Sequence, residues 1–171
     1  MLLLLTALAM SLTAPAAALK YDVPEGWVPR APASSMRVAE FTLPRAAADA
    51  EDAELVLYFF GGTGGSVQAN LDRWIGQVQQ PDGRASRAVA KTTTFTANGL
   101  EVTVLDVSGR YVAEVRPGSA ERHDKPGSRL MAAVIETPDG PYFVKVVGPA
   151  ATVARWTDSV GAFLRSVRHA G

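Results

Sequence analysis

Few residues of this chain combine types and spacing that could support chemistry, and the most prominent are glycines. The segment GGTGGS, at positions 61–66, follows the apolar run LVLYFF and precedes a pattern typical of a helix. Turns of this kind cradle phosphates in many proteins, because free backbone amides and a helix N-terminus attract negative charge. The segment is therefore the first candidate for a ligand-binding site.

Two nucleotide-binding motifs can be tested against this segment, and it matches neither. A Walker loop requires a Lys followed by Ser or Thr after its last glycine, but Gly65 is followed by Ser66 and Val67. A dinucleotide fingerprint beginning at Gly62 and Gly64 requires a third glycine where Val67 stands. The sequence therefore predicts no nucleotide cofactor.

A less specific ligand site remains possible at the same place. The amides of Gly64 and Gly65, with Ser66 at the helix start, could attract an anion, and Asn70 and Arg73 lie three residues apart on the following helix. These five residues form the predicted ligand-binding patch. The alternative is a left-handed glycine turn with Ser66 as helix N-cap, followed by a solvated helix face.

Acid–base catalysis has few candidate residues. The chain contains two histidines, His123 beside Asp124 and His169 near the C-terminus, and no serine lies in a G-x-S-x-G elbow. A hydrolase that uses His123 and Asp124 would need a fixed geometry that adjacent loop residues rarely provide. No catalytic residue is predicted, and this hydrolase stays an alternative.

Metal binding is not predicted either. The chain has no cysteine, which excludes disulfides, thiolate metal sites and a thiol nucleophile. The acidic stretch DAEDAE at 49–54 offers oxygen ligands, but it lacks the glycine that lets a calcium loop wrap around its ion. Asp106 shares a strand face with Val104, and we expect it to cap a turn at Ser108–Gly109.

Composition and the N-terminal segment limit the function classes. The chain has 171 residues with 17 basic and 17 acidic side chains, so no overall field favours nucleic acid. Residues 1–18 combine an apolar run with the small residues Ala16–Ala18, which predicts a cleaved signal peptide, although no Lys or Arg precedes the run. An uncleaved anchor is the alternative. Residues 19–171 are predicted to form one exported domain.

The elements that would position these residues follow from periodicity and turn residues. Trp27 is expected to anchor a proline-rich N-terminal segment to the core. The predicted strands are 36–43, 55–60, two arms around Asn98-Gly99 within 91–107, 110–115, 130–136 and 142–148. A charged loop is predicted at 117–129, and helices at 67–78 and 153–167. This order predicts an α+β fold, a mainly antiparallel sheet with two long amphipathic helices packed on it.

Several segments together resemble a known family. VPEGW, MRVAEF, ELVLYFFGGTGGSVQANLDRW, LMAAVIETPDGPYFVKVVGP and the closing helix are similar to the PsbP-like α/β/α sandwich family, in particular its small exported bacterial members of unassigned function. The resemblance covers most of the domain and rests on packing and turn patterns. It implies a fold used as a docking or accessory module, and it implies no reaction.

The sequence therefore predicts an exported, non-catalytic binding or accessory domain, periplasmic or extracellular, that docks to an envelope protein or a small ligand. No nucleic-acid partner and no stable membrane span after signal cleavage are expected. The alternatives are the hydrolase described above and a purely structural component of the envelope.

Overall fold

An antiparallel sheet is the centre of the fold, which the computed structural model describes for residues 19–170. The strands are β1 (Leu19–Lys20), β2 (Val28–Arg30), β3 (Arg37–Leu43), β4 (Ala53–Phe59), β5 (Val78–Gln79), β6 (Lys91–Ala97), β7 (Leu100–Tyr111), β8 (Lys125–Ile135), β9 (Tyr142–Pro149) and β10 (Arg168–His169). The helices are α1 (Val67–Ile75) and α2 (Ala150–Ser166). The predicted signal peptide, residues 1–18, lies outside the described residues.

The strand order confirms the predicted α+β class. The main sheet runs β2-β3-β4-β9-β8-β7-β5, with β6 also paired to β7, while β1 and β10 form a separate two-stranded ribbon. All pairings between these strands are antiparallel within residues 19–170. Among the same residues, no helix combines the length and apolar character needed to cross a bilayer.

Side chains alternate between the two faces of the sheet, so the molecule has two apolar cores. One core lies under α2 and includes Leu55, Val144 and Phe163. The other lies under α1 and includes Trp74 and Phe143. The central strands are therefore covered on both faces, which explains the continuous apolar run LVLYFF. Each large side chain buried in this way stabilises the fold by about 1.5–3 kcal/mol.

Two hairpins were predicted, and both are confirmed. Asn98 and Gly99 join β6 to β7 with φ values of +49° and +83°, as a type I′ turn requires. In the turn between β8 and β9, the Gly140 amide donates to the Thr137 carbonyl at 3.0 Å. The Thr137 hydroxyl donates to the Gly140 carbonyl at 2.7 Å.

Trp27 anchors the N-terminal segment as predicted. Its ring centroid lies 5.5 Å from that of Phe41 and 5.3 Å from that of Phe163, and its indole N–H donates to the Ser159 hydroxyl at 3.1 Å. The ring therefore joins the proline-rich segment to both the sheet and α2.

The first helix is shorter than its sequence pattern suggests, so the prediction of two long helices is wrong for α1. The helix ends at Ile75, where the Gly76 amide donates to the Asp72 carbonyl at 3.0 Å. Val78 has the spacing of the helical stripe, yet it lies in β5 opposite Tyr111. Pairing with the end of β7 replaces the last helical turn, and the nine residues of α1 cover only part of their face of the sheet.

Two predictions near β7 are also wrong. Ser108–Gly109 is not a turn, because β7 continues to Tyr111. A side chain at Gly109 would meet the Gln79 carbonyl oxygen at 2.5 Å, so this glycine serves the close approach of β5. Asp106 consequently caps no turn. Its carboxylate binds the guanidinium of Arg129 on β8 through two bonds of 2.8 and 2.6 Å.

The charged loop predicted at 117–129 is shorter than expected. Strand β8 begins at Lys125, where the Lys125 backbone is in register with Tyr111 of β7. The charge and glycine content of this segment favoured a loop, but pairing with the long β7 extends the strand into it.

Candidate functional site

The glycine segment connects β4 to α1 by a left-handed turn. Gly61, Gly62 and Gly65 have φ values of +61°, +84° and +84°, as the sequence predicted. Ser66 is the N-cap of α1, and its hydroxyl accepts a hydrogen bond from the Ala69 amide at 3.2 Å. The turn and its cap are therefore confirmed.

Gly64 is required for a different reason, which the sequence did not reveal. A Cβ atom at this position would overlap the ring of Phe143 and would also touch Phe60. The turn thus lies directly against a buried aromatic ring of β9. The amides of Gly64 and Gly65 donate to no acceptor among residues 19–170.

Asn70 joins the turn to the helix. Its side chain is 2% exposed, and its Nδ2 donates to the carbonyls of Gly64 and Ser66, both at 2.9 Å. Its Oδ1 accepts from Nη2 of Arg73 at 2.6 Å. A solvated helix face is therefore the wrong interpretation for Asn70, which has a positioning role, whereas Arg73 is exposed.

The predicted ligand patch is thus one connected unit. The structure brings together Gly64, Gly65, Ser66, Asn70 and Arg73, with the Arg73 guanidinium 6.0 Å from the ring centroid of Trp74. Whether the unit binds a ligand stays a prediction.

His123 and Asp124 do not form the pair that a hydrolase would need. Both carboxylate oxygens of Asp124 accept from Arg110, at 2.5 and 2.6 Å. The His123 ring instead packs against Tyr111, with 5.3 Å between ring centroids. The Arg110 guanidinium lowers the pKa of Asp124, which is the behaviour of an ion pair.

The acidic stretch at 49–54 has structural contacts. Asp49 accepts from the Thr152 amide at 2.8 Å, which satisfies a free N–H in the first turn of α2. Glu51 pairs with Lys125 at 2.8 Å, and Asp52 accepts from the Arg45 amide at 2.9 Å. Residues 19–170 contain no group of three or more metal-ligating side chains placed to hold an ion.

Lys145 is a polar residue that the sequence analysis missed. It lies on β9 on the same face as Phe143, and it is mostly buried beside α1. Its ammonium donates to Oε1 of Gln77 at 2.6 Å and to the hydroxyl of Tyr111 at 2.8 Å. A lysine inside the apolar run YFVKVV is the signal that could have identified it.

The surroundings of Lys145 disfavour its charged form. Burial, followed by the repulsion of Arg73, lowers the pKa of Lys145 from 10.5 to about 8. Arg37 acts in the same direction and Glu54 opposes it. Burial also raises the pKa of the adjacent Tyr111 hydroxyl, which therefore remains a neutral partner.

The fit between Gly64 and Phe143 can be tested by substituting the two glycines that flank α1. We expect Gly64→Ala to lower the free energy of unfolding by about 1–3 kcal/mol, because the added methyl group overlaps the ring. Gly76→Ala is the matched control: its φ is −64° and its nearest contacts are 3.5 Å away. We expect it to be neutral or mildly stabilising. Urea denaturation measures both, and equal effects would contradict the packing explanation.

The pKa of Lys145 predicts a pH dependence of stability. Below pH 8 both states carry the proton, and the folded state bears the cost of the buried charge. Between about pH 8 and 10.5 the unfolded chain binds more protons, so the free energy of unfolding rises with pH. Relative to Lys145→Met, the wild type should gain up to about 2–3 kcal/mol by pH 10.

The difference in stability between the two proteins cancels the contributions of three tyrosines, Tyr21, Tyr58 and Tyr111. Their raised pKa values lower stability only near pH 10 and above. Lys91→Met, on the exposed strand β6, is the control and should follow the wild type. Parallel stability curves for wild type and Lys145→Met would show that Lys145 titrates normally.

Among known proteins, similarity to this chain was found in solved structures only. No protein-family model matches the chain, and no curated protein matches it. The chain is similar to a Pseudomonas aeruginosa protein of unknown function, described as a candidate regulator, at 14% identity and a TM-score of 0.49. That similarity covers 74% of this chain and 78% of the other.

The chain is also similar to cyanobacterial PsbP (CyanoP) from Synechocystis, at 12% identity and a TM-score of 0.49. The similarity covers 94% of this chain and 98% of that protein. At this level, neither structure lends an argument about what this chain binds or does. A PsbP protein is thus among the solved structures to which this chain is similar.

Proposed function

We propose that this protein is an exported, non-catalytic binding domain that docks to an envelope protein or a small ligand through the patch around Arg73. The observation that carries the proposal is the presentation of Arg73. Its guanidinium is exposed, yet Nη2 is fixed by the buried side chain of Asn70 at 2.6 Å. Among residues 19–170 no carboxylate lies within 4 Å of it.

Binding through a fixed arginine costs less conformational entropy than binding through an ordinary surface arginine. Ordering a long side chain at an interface costs about 0.5–1.5 kcal/mol, and part of this cost is met before a partner arrives. The guanidinium has five N–H donors in a planar fork, which suits acidic groups of a partner. The backbone amides of Gly64 and Gly65 belong to the same connected unit, which Asn70 joins to Arg73.

The state of the candidate acid–base residues supports a non-catalytic role. Asp124 is held by Arg110, Asp106 by Arg129, and the His169 ring contacts the Asp139 carboxylate at 2.7 Å. In each case the two side chains join neighbouring strands or loops. The hydrolase alternative has no observation in its favour.

The position of β1 is compatible with the proposed export. Cleavage after Ala18 would leave Leu19 as the first residue, and Leu19 is buried and paired with His169 of β10. The proposed cleavage would therefore leave the fold of residues 19–170 intact.

Site-specific photo-cross-linking in the native cell tests this function. A photoreactive amino acid replaces Ala69, which is exposed on α1 one turn from Arg73, or Ala162, which is exposed on α2 across the sheet. We expect a saturable adduct from position 69 and none from position 162. Arg73→Glu should remove the adduct, because it reverses the charge presented to the partner.

Arg155→Glu is the matched control, since Arg155 also stacks over a neighbouring tryptophan, at 5.2 Å from the ring centroid of Trp156. The recovered protein should begin at Leu19. An abundant protein without an adduct from position 69 would instead support a purely structural component, and an adduct unaffected by Arg73→Glu would place docking elsewhere.

A further inference from the structure

Lys145 is mostly buried and donates to Gln77, four residues after Arg73, and neither cation has a carboxylate partner among residues 19–170. Elsewhere on the sheet, Arg37 binds Glu40 at 3.1 Å and Arg129 binds Asp106 at 2.6 Å. A buried charge is costly unless it is paired, so an unpaired lysine in this position requires an explanation.

Hydrogen bonding around the two cations is incomplete. Lys145 has three N–H donors and uses two of them, on the neutral acceptors Gln77 and Tyr111. Arg73 has five and uses one, on Asn70. The remaining donors have no acceptor among residues 19–170.

The nearby acidic groups are committed to other cations. Glu54 lies 3.4 Å from Arg30 and 3.8 Å from Arg37. Glu40 accepts from the Ala33 amide at 2.6 Å in addition to Arg37. The charges of Glu40 and Glu54 therefore balance those of Arg30 and Arg37. The positive charges of Lys145 and Arg73 are left without a carboxylate partner among residues 19–170.

The geometry points to an anion-binding site formed by Lys145 and Arg73, which takes a carboxylate or phosphate group between α1 and the sheet. Gln77 and Tyr111 orient the ammonium, and Asn70 orients the guanidinium. The inference rests on the proposed function in that Arg73 belongs to both, and it adds the ligand chemistry and a second binding residue.

Carboxylate and phosphate oxygens fit this site because they only accept hydrogen bonds and carry the missing negative charge. A charge-assisted bond to each cation would be about twice as strong as a neutral one. The hydroxyl of Tyr111, 2.8 Å from the Lys145 ammonium, holds that cation in place without neutralising it. An acidic ligand would also restore the ordinary pKa of Lys145.

Anion titrations of the purified protein test the inference. Inorganic phosphate and succinate are each added while NMR follows the side-chain signal of Lys145. We expect saturable binding of at least one of them and a rise in the pKa of Lys145 in the complex. Lys145→Met and Arg73→Gln should each weaken binding by about tenfold or more, whereas Arg155→Gln should not.

Saturation by phosphate alone, or by succinate alone, would identify the source of the anionic group. Absence of saturable binding by both, or equal affinity in Lys145→Met, would overturn the inference. Because Lys145→Met removes the buried charge, we expect it to fold, and its urea denaturation curve tests whether a loss of binding is local.

The anion site and the docking role can fail separately. An adduct from position 69 that depends on Arg73, in a protein that binds neither anion, would retain the docking function and reject the anion site. Anion binding that depends on Lys145, in a protein without an adduct, would retain the site and reject docking to an envelope protein.

Discussion

The contact between Gly64 and the ring of Phe143 determines where α1 lies on the sheet. Only a residue without a Cβ atom fits there, so the turn after β4 approaches β9 closely. The helix then starts at Val67, and Trp74 packs edge-on against the same ring, with 6.3 Å between centroids. Phe143 and Lys145 share a face of β9, so this contact also places α1 beside Lys145.

The short length of α1 has a consequence for the charges of the sheet. A helix that continued through Val78 would remove the pairing of Val78 with Tyr111, whose hydroxyl binds Lys145. Because the chain leaves α1 and returns to the sheet as β5, the Gln77 side chain reaches the Lys145 ammonium at 2.6 Å. Exposed ion pairs such as Arg110–Asp124 are mutually satisfied and add little to stability. Lys145 differs from these exposed pairs, because it is mostly buried and bonds only to the neutral groups of Gln77 and Tyr111 among residues 19–170.

Local signals predicted local structure well. Asn98-Gly99 fixes its own turn, Ser66 caps its own helix, and the size of Trp27 favours burial in almost any context. These features depend on a few neighbouring residues, so they could be derived from the sequence. The same local rules failed at Val78 and at Ser108–Gly109, where pairing between distant segments overrides the helical spacing and the turn residues.

The candidate site could be predicted only in part for the same reason. Asn70 and Arg73 are neighbours on a helix, and their spacing indicated a shared patch. Lys145 reaches this patch from a strand far along the chain, and its partners Gln77 and Tyr111 come from two further segments. No periodicity links these three positions, and only the folded sheet brings them together.

The most direct test of the anion site formed by Lys145 and Arg73 is to locate a bound anion. Crystals of the protein soaked in selenate, a tetrahedral oxyanion that stands in for phosphate, would be measured for anomalous scattering from selenium. The account predicts a peak between the Lys145 ammonium and the Arg73 guanidinium, within hydrogen-bonding distance of both. Selenate bound only at other positions, with this pair of cations empty, would contradict it.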